Sequence, residues 1–193
     1  MILPASAFIF PITYPIADII TEVYGFNVTK LVIWSSVAMG FISTTLIMLV
    51  INLPAPDFWN NNDAFRTVLG NTWRIVIGGY IGNIVGSFIN AILISKLKIA
   101  FKNKYFLLRS VMSSIIGVII YVLVAGTIIL YGMTSFEHAV NIMFSNYMAK
   151  VLFIAVFSYP AAMLCGFLKK QERMNGGNPE EFNTNFNPFQ LKA

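Results

Sequence analysis

The stretch "FPITYPIADIITEVYG", residues 10–25, places two acids, Asp18 and Glu22, inside an apolar run. "MILPASAFI" precedes it and "LVIWSSVAMGFISTTLIMLVINL" follows shortly after, so both acids fall in a segment long enough to cross a bilayer. The rest of the composition agrees with a lipid setting. Of 193 residues, 57% are hydrophobic and only 11% charged, with a mean hydropathy of +0.73. A soluble domain carries about a quarter charged residues. A single cysteine, Cys165, excludes an internal disulfide framework and a cysteine-based metal cage, and a single histidine, His138, argues against a histidine-based metalloenzyme. No metal or cofactor is expected.

Windows of about 20 apolar residues give five candidate spans, at 2–24, 31–53, 75–95, 110–132 and 147–168. The expected fold is therefore all-α, a polytopic membrane helix bundle over residues 1–168. Between the spans, "NLPAPDFWNNNDAFRTVLGNT" has prolines and an Asn run that break a helix, "KLKIAFKNKYFLLR" is basic, and "MTSFEHAVNIMFSN" is polar. Residues 169–193, poor in aliphatic side chains and rich in Asn, Gly and charge, read as a solvated, disordered tail.

Lysine and arginine in short loops mark the cytoplasmic side. Lys96, Lys98, Lys102, Lys104 and Arg109 crowd the loop after the third span, Lys169, Lys170 and Arg173 follow the last, and Lys30 lies between the first two. The opposite loops hold Asp57, Asp63 and Glu137, with Arg66 their main basic residue. The expected location is a bacterial inner membrane, crossed several times, with the C-terminus in the cytoplasm. The net charge of +5 is thus a topology signal and not a mark of nucleic-acid binding. An odd number of spans puts Met1 outside, through either a missing preceding span or a first span inserted with its N-terminus out.

An ionisable group deep in a bilayer faces a cavity or a partner. Asp18 and Glu22 are four residues apart and share a helix face, with Tyr14 one turn before and the Thr21 hydroxyl nearby. Pro11 and Pro15 interrupt this helix and free backbone carbonyls near its middle. Two acids so close in low dielectric do not both ionise easily, an arrangement that suits proton coupling or cation binding. Glu22, beside Gly25, can alternatively snorkel to water. Arg74 and Lys150, each at the start of a span, can act as charge partners of the acids or as interfacial anchors.

In the third span Asn83, Ser87 and Asn90 form a polar stripe that either joins neighbouring helices or lines a substrate cavity. Gly79, Gly82 and Gly86 beside it read as packing residues, suited to a homodimer as readily as to an intramolecular contact. Ser113 and Ser114 read as bonding back to their own helix. Catalytic signatures such as HExxH, GxSxG or a phosphate-cradling glycine loop are absent. Asp18 and Glu22 make a poor aspartyl dyad because they share one helix, so an enzyme is not expected.

The opening stretch resembles the signature of the queuosine precursor transporters, formerly called a vitamin uptake family, in which FP-x-TY-x-x-x-D-x-x-TE-x-YG recurs. Phe10, Pro11, Thr13, Tyr14, Asp18, Thr21, Glu22, Tyr24 and Gly25 fit it. The resemblance continues through Arg74, "SKLK" at 95–98, Arg109 with "SVMSSIIG", and "YMAKVLFIAVFSYP" at 147–160. It implies a six-helix inner-membrane protein, whose first helix has no counterpart here, importing 7-cyano-7-deazaguanine, its aminomethyl relative or queuine. A deazaguanine presents adjacent N–H donors that a carboxylate can accept, and Tyr14, Tyr24 or Trp34 can stack on its rings. The resemblance assigns Asp18 and Glu22 to substrate or proton binding and Arg74 and Lys150 to charge pairing. Two family acids are replaced, by Asn90 in the third span and by Tyr121 in the fourth. The alternatives are a substrate-capture subunit of an ATP-driven vitamin importer, or a diverged membrane protein that no longer transports.

Overall fold

The computed structural model describes residues 6–54, 59, 61–70, 72–171 and 187–188, with the side chains of 6–11, 67–68, 70 and 72–74 excepted. Its elements are α1 (Ser6–Ile51), α2 (Asn62–Gly70), α3 (Thr72–Ala100), α4 (Phe106–Leu130) and α5 (Phe136–Gln171). Four of these are long and apolar enough to cross a membrane, α2 being the exception. Their outward faces carry the large apolar residues, as Leu152, Val156, Met163 and Phe167 show on α5 and Leu31, Met39, Phe41 and Leu49 on α1. A surface of this kind is what hydrocarbon solvates and water does not.

The described part of the first expected span and most of the second form α1, which breaks at Gly25 (φ 84°, ψ 170°), residues 2–5 lying outside the described residues. Only glycine takes such a conformation readily. Contacts on either side of the break show that the chain reverses there. In the first arm, residues 6–24, Asp18 meets Asn90 and the Glu22 carbonyl meets Lys98, so arm and α3 ascend together. In the second arm, residues 26–51, Trp34 meets Phe88 and Thr44 meets Tyr80, so arm and α3 run oppositely. The Thr21 and Thr29 hydroxyls bond across the turn at 2.9 Å. In a straight helix residues eight apart would be about 12 Å apart along the axis. At 1.5 Å per residue the arms span about 28 and 39 Å, each enough for one crossing.

The first arm stays helical through Pro11 and Pro15. The second arm packs mainly through Phe26 and Ile33 on Phe88 and Ala91 of α3. Two stretches read as loops are helical. Residues 136–146 extend α5 toward its N-terminus, because Ser135 starts the helix: its carbonyl accepts the Ala139 N–H and its Oγ the His138 N–H. His138 is therefore in the first turn of α5, its ring bonded to Ser135. After the Asn run, "NDAFRTVLG" forms α2, with Asp63 in its positive first turn. In the expected tail, Asn187 and Pro188 are described and their carbonyls accept from Lys30 and Trp34 of the second arm.

Helices α3 and α4 pack most closely. A Cβ at Gly86 would lie 2.8 Å from the Gly117 carbonyl, one at Gly82 2.8 Å from Ala125, and one at Gly78 2.8 Å from Ile129. The packing set is therefore Gly78, Gly82 and Gly86 on one face, and Gly79, expected there, has nothing within 4 Å of an added Cβ. Gly86→Ala is expected to cost about 1–3 kcal/mol through overpacking, while Gly79→Ala should be neutral or slightly stabilising. Thermal unfolding of both variants in detergent checks the pair.

Candidate functional site

One face of the first arm is buried against α3, α4 and α5, while Ile12, Ile16 and Tyr24 on the other are exposed. Helical spacing puts Tyr14, Asp18 and Glu22 on one line down its face. All three are almost entirely buried.

Asp18 has three polar partners drawn from two other helices. Its Oδ1 accepts from Asn90 Nδ2 of α3 at 2.6 Å. Its Oδ2 accepts from Ser110 Oγ at 2.5 Å and Ser114 Oγ at 2.9 Å, both on α4. Asn90 is itself buried, and its Oδ1 has no partner among the described residues. The chemistry of these partners matters more than their number. A hydroxyl donates and accepts, and an amide offers one end for each role. This ring can therefore serve a carboxylate or a carboxylic acid, and it can exchange one of its bonds for a ligand's.

Glu22, one turn along, has partners of the opposite kind. Arg109 of α4 forks onto both its oxygens at 2.9 Å each, and Lys169 of α5 reaches Oε1. The Glu22 carbonyl accepts from Lys98 of α3 at 2.8 Å. Arginine and lysine only donate, so Glu22 is held as a carboxylate. Arg109 also donates through Nε to the Lys104 carbonyl, and Lys169 donates to Asn103 Oδ1, which ties in the α3–α4 turn.

On the far side of Asp18, Tyr14 packs with Val118, Val122 and Ile154 and borders Gly86 and Gly117. Tyr121, partly buried against this cluster, carries the Lys150 ammonium 3.9 Å from its ring centroid. Lys150 is almost wholly buried there.

The remaining sequence candidates are placed as follows. Thr21 donates to the Ala17 carbonyl and meets Thr29, so it serves the Gly25 turn and not the acids. Asn83 accepts from Ser87 at 3.3 Å, apart from Asn90. Trp34 lies against Phe88, and Tyr24 is largely exposed. The backbone of Arg74 is in α3, and its side chain lies outside the described residues. Ser113 bonds back to its own helix as expected, but Ser114 turns to Asp18.

Five partners were missed by sequence reasoning: Arg109, Ser110, Ser114, Lys98 and Lys169. Loop charge indicates a side of the membrane but not how deep a side chain reaches, so the cations read only as topology. One signal was available for the serines. Ser110, Ser113, Ser114 and Gly117 recur at helical spacing, and this small polar face is what fits around a buried acid.

A family model described as "Putative vitamin uptake transporter" matches residues 4–165. No curated protein and no solved structure matches the chain. The matched range takes in every residue of the Asp18 and Glu22 clusters except Lys169, and on that match the chain belongs to the vitamin uptake transporter family.

Proposed function

We propose that this chain is a secondary transporter that imports a queuosine precursor, 7-cyano-7-deazaguanine, its aminomethyl relative or queuine, across the bacterial inner membrane. The observation that carries the reading is Asp18, a carboxyl group at the centre of the bundle whose three partners can all reverse or release their hydrogen bonds. The adjacent N–H donors of a deazaguanine edge would take the place of Ser110, Ser114 or Asn90 on its oxygens. Tyr14, one turn from Asp18 on the same helix face, would supply an aromatic contact for a flat bicycle. The same ring lets Asp18 carry a proton in one half of the cycle and lose it in the other, which supplies the coupling. Substrate near the midplane, met by helices that move around it, is the usual arrangement in secondary transporters. In this reading the lysine-rich end, with residues 169–171, faces the cytoplasm.

The test is recovery of queuosine in tRNA, in a bacterium that can neither make nor import the precursor, with each base supplied at low concentration. Recovery dependent on this chain is the expected result. Good membrane expression without recovery for any of the three bases would sink the ligand assignment. Recovery only together with a copurifying ATPase would favour a substrate-capture subunit instead.

A further inference from the structure

Asp18 lies between two unlike seals. Toward the acidic-loop end it is covered by Tyr14, Val118, Val122 and Ile154, a close-packed apolar plug. Toward the lysine-rich end it is covered by the Glu22 cluster and, beside it, by Ile19, Val23, Ala161 and Cys165. The two halves of the Glu22 cluster differ. Arg109 is fully buried and holds α4 to the first arm with two bonds, while the Lys169 side chain is 24% exposed and holds α5 with one. The α5 contact is the one that water can reach.

Helix α5 also contains the one proline inside it, Pro160, between the plug residue Ile154 and the seal residues Ala161, Cys165 and Lys169. Proline removes a backbone hydrogen bond and is a common origin of helix bending. Beyond it, Gly166 has open space around its missing side chain. Residues 161–171 thus form the end of α5 beyond a weak point, held to the first arm by Ala161, Cys165 and Leu168 and by one partly exposed ion pair, with a further bond from Lys169 to Asn103 in the α3–α4 turn.

We propose that residues 161–171 are a gate that swings at Pro160, latched shut over Asp18 by the Lys169–Glu22 ion pair. Arg109 stays on Glu22 throughout and keeps the first arm fixed to α4, so the gate moves against a rigid frame. Opening exposes the side of the first arm that carries Ile19 and Val23 and connects Asp18 to the lysine-rich face. The proposal rests on the transport reading only for what the opening admits.

Cys165, one turn before Lys169 and buried on the inner face of the gate against Ile19 and Val23, is the sole cysteine of this sequence and serves as a built-in reporter. The experiment is alkylation of the full-length protein in sealed vesicles by a membrane-impermeant maleimide, without any transport ligand. The wild type should react slowly. Lys169→Gln should react at least about tenfold faster, because the charge-assisted bond holding the closed state is gone. Lys169→Arg should stay near the wild-type rate, and adding Pro160→Ala to Lys169→Gln should slow the reaction again. The acceleration should appear only when the reagent is on the side that bears residues 169–171. A protein with Ile154→Cys and Cys165→Ala reports on the plug side of the hinge and should stay unreactive with Lys169→Gln. Wild-type reactivity of folded Lys169→Gln overturns the gate, and so does equal exposure of both cysteines, which marks general loosening. Because no ligand is added, failure here is distinguishable from failure of the tRNA assay.

Discussion

Asp18→Asn is expected to abolish uptake while the protein remains inserted and folded. The fold should survive because every partner can adjust. The Ser110 and Ser114 hydroxyls can turn to donate or accept, and Asn90 can present Oδ1 where it now presents Nδ2. What is lost is an acceptor that can bear charge and exchange a proton. Losing a single hydrogen bond to a charged group, worth roughly 1.5–3 kcal/mol, lowers affinity at least about tenfold, and loss of the proton site removes coupling altogether. The measurement is tRNA queuosine in the uptake-deficient bacterium, with size-exclusion of the detergent-solubilised variant as the fold control. Uptake at the wild-type rate by Asp18→Asn would remove this residue from the mechanism.

Arg109→Met should act on stability. Methionine fills much of the volume but supplies none of the fork, leaving Glu22 Oε2 without its donor and the Lys104 carbonyl without Nε. Removing one partner of a buried pair costs about 3–5 kcal/mol, because the other charge stays buried without compensation. Arg109→Lys should recover only part, since an ammonium keeps the charge and cannot bond both oxygens as a planar fork does. The unfolding midpoint in detergent should fall well below wild type for Met and lie between for Lys. An unchanged midpoint for Arg109→Met would mean that the Glu22 cluster does not hold the bundle together.

The two acids and their shared face were legible because a charge in an apolar run is costly and therefore conspicuous. The helical class and the lysine-rich end were legible for similar reasons. Other features depend on geometry that residue type does not encode. Hydropathy alone separates 2–24 from 31–53 without saying that Gly25 folds one back along the other. It cannot show that Ser135 extends α5 by three turns before its apolar run begins. Nor can it show that Gly78 and not Gly79 faces α4, since neighbouring glycines are equivalent until a partner helix chooses one side. Lys150 illustrates the same limit: its setting on the Tyr121 ring comes from the way α4 and α5 meet.

The reversal at Gly25 also bears on how the protein is made. Both arms of α1 emerge from the ribosome before α3, α4 and α5, and the first arm carries Asp18 and Glu22. Their side-chain partners follow much later: Asn90 is 72 residues on, Arg109 is 87 beyond Glu22, and Lys169 is 147 beyond it. A newly inserted hairpin thus holds two polar groups in lipid before any of these partners has been synthesised. Its acids must be sheltered at the translocon or by an insertase until α4 and α5 arrive, and a chain stalled before α4 should be a target for membrane quality-control proteases.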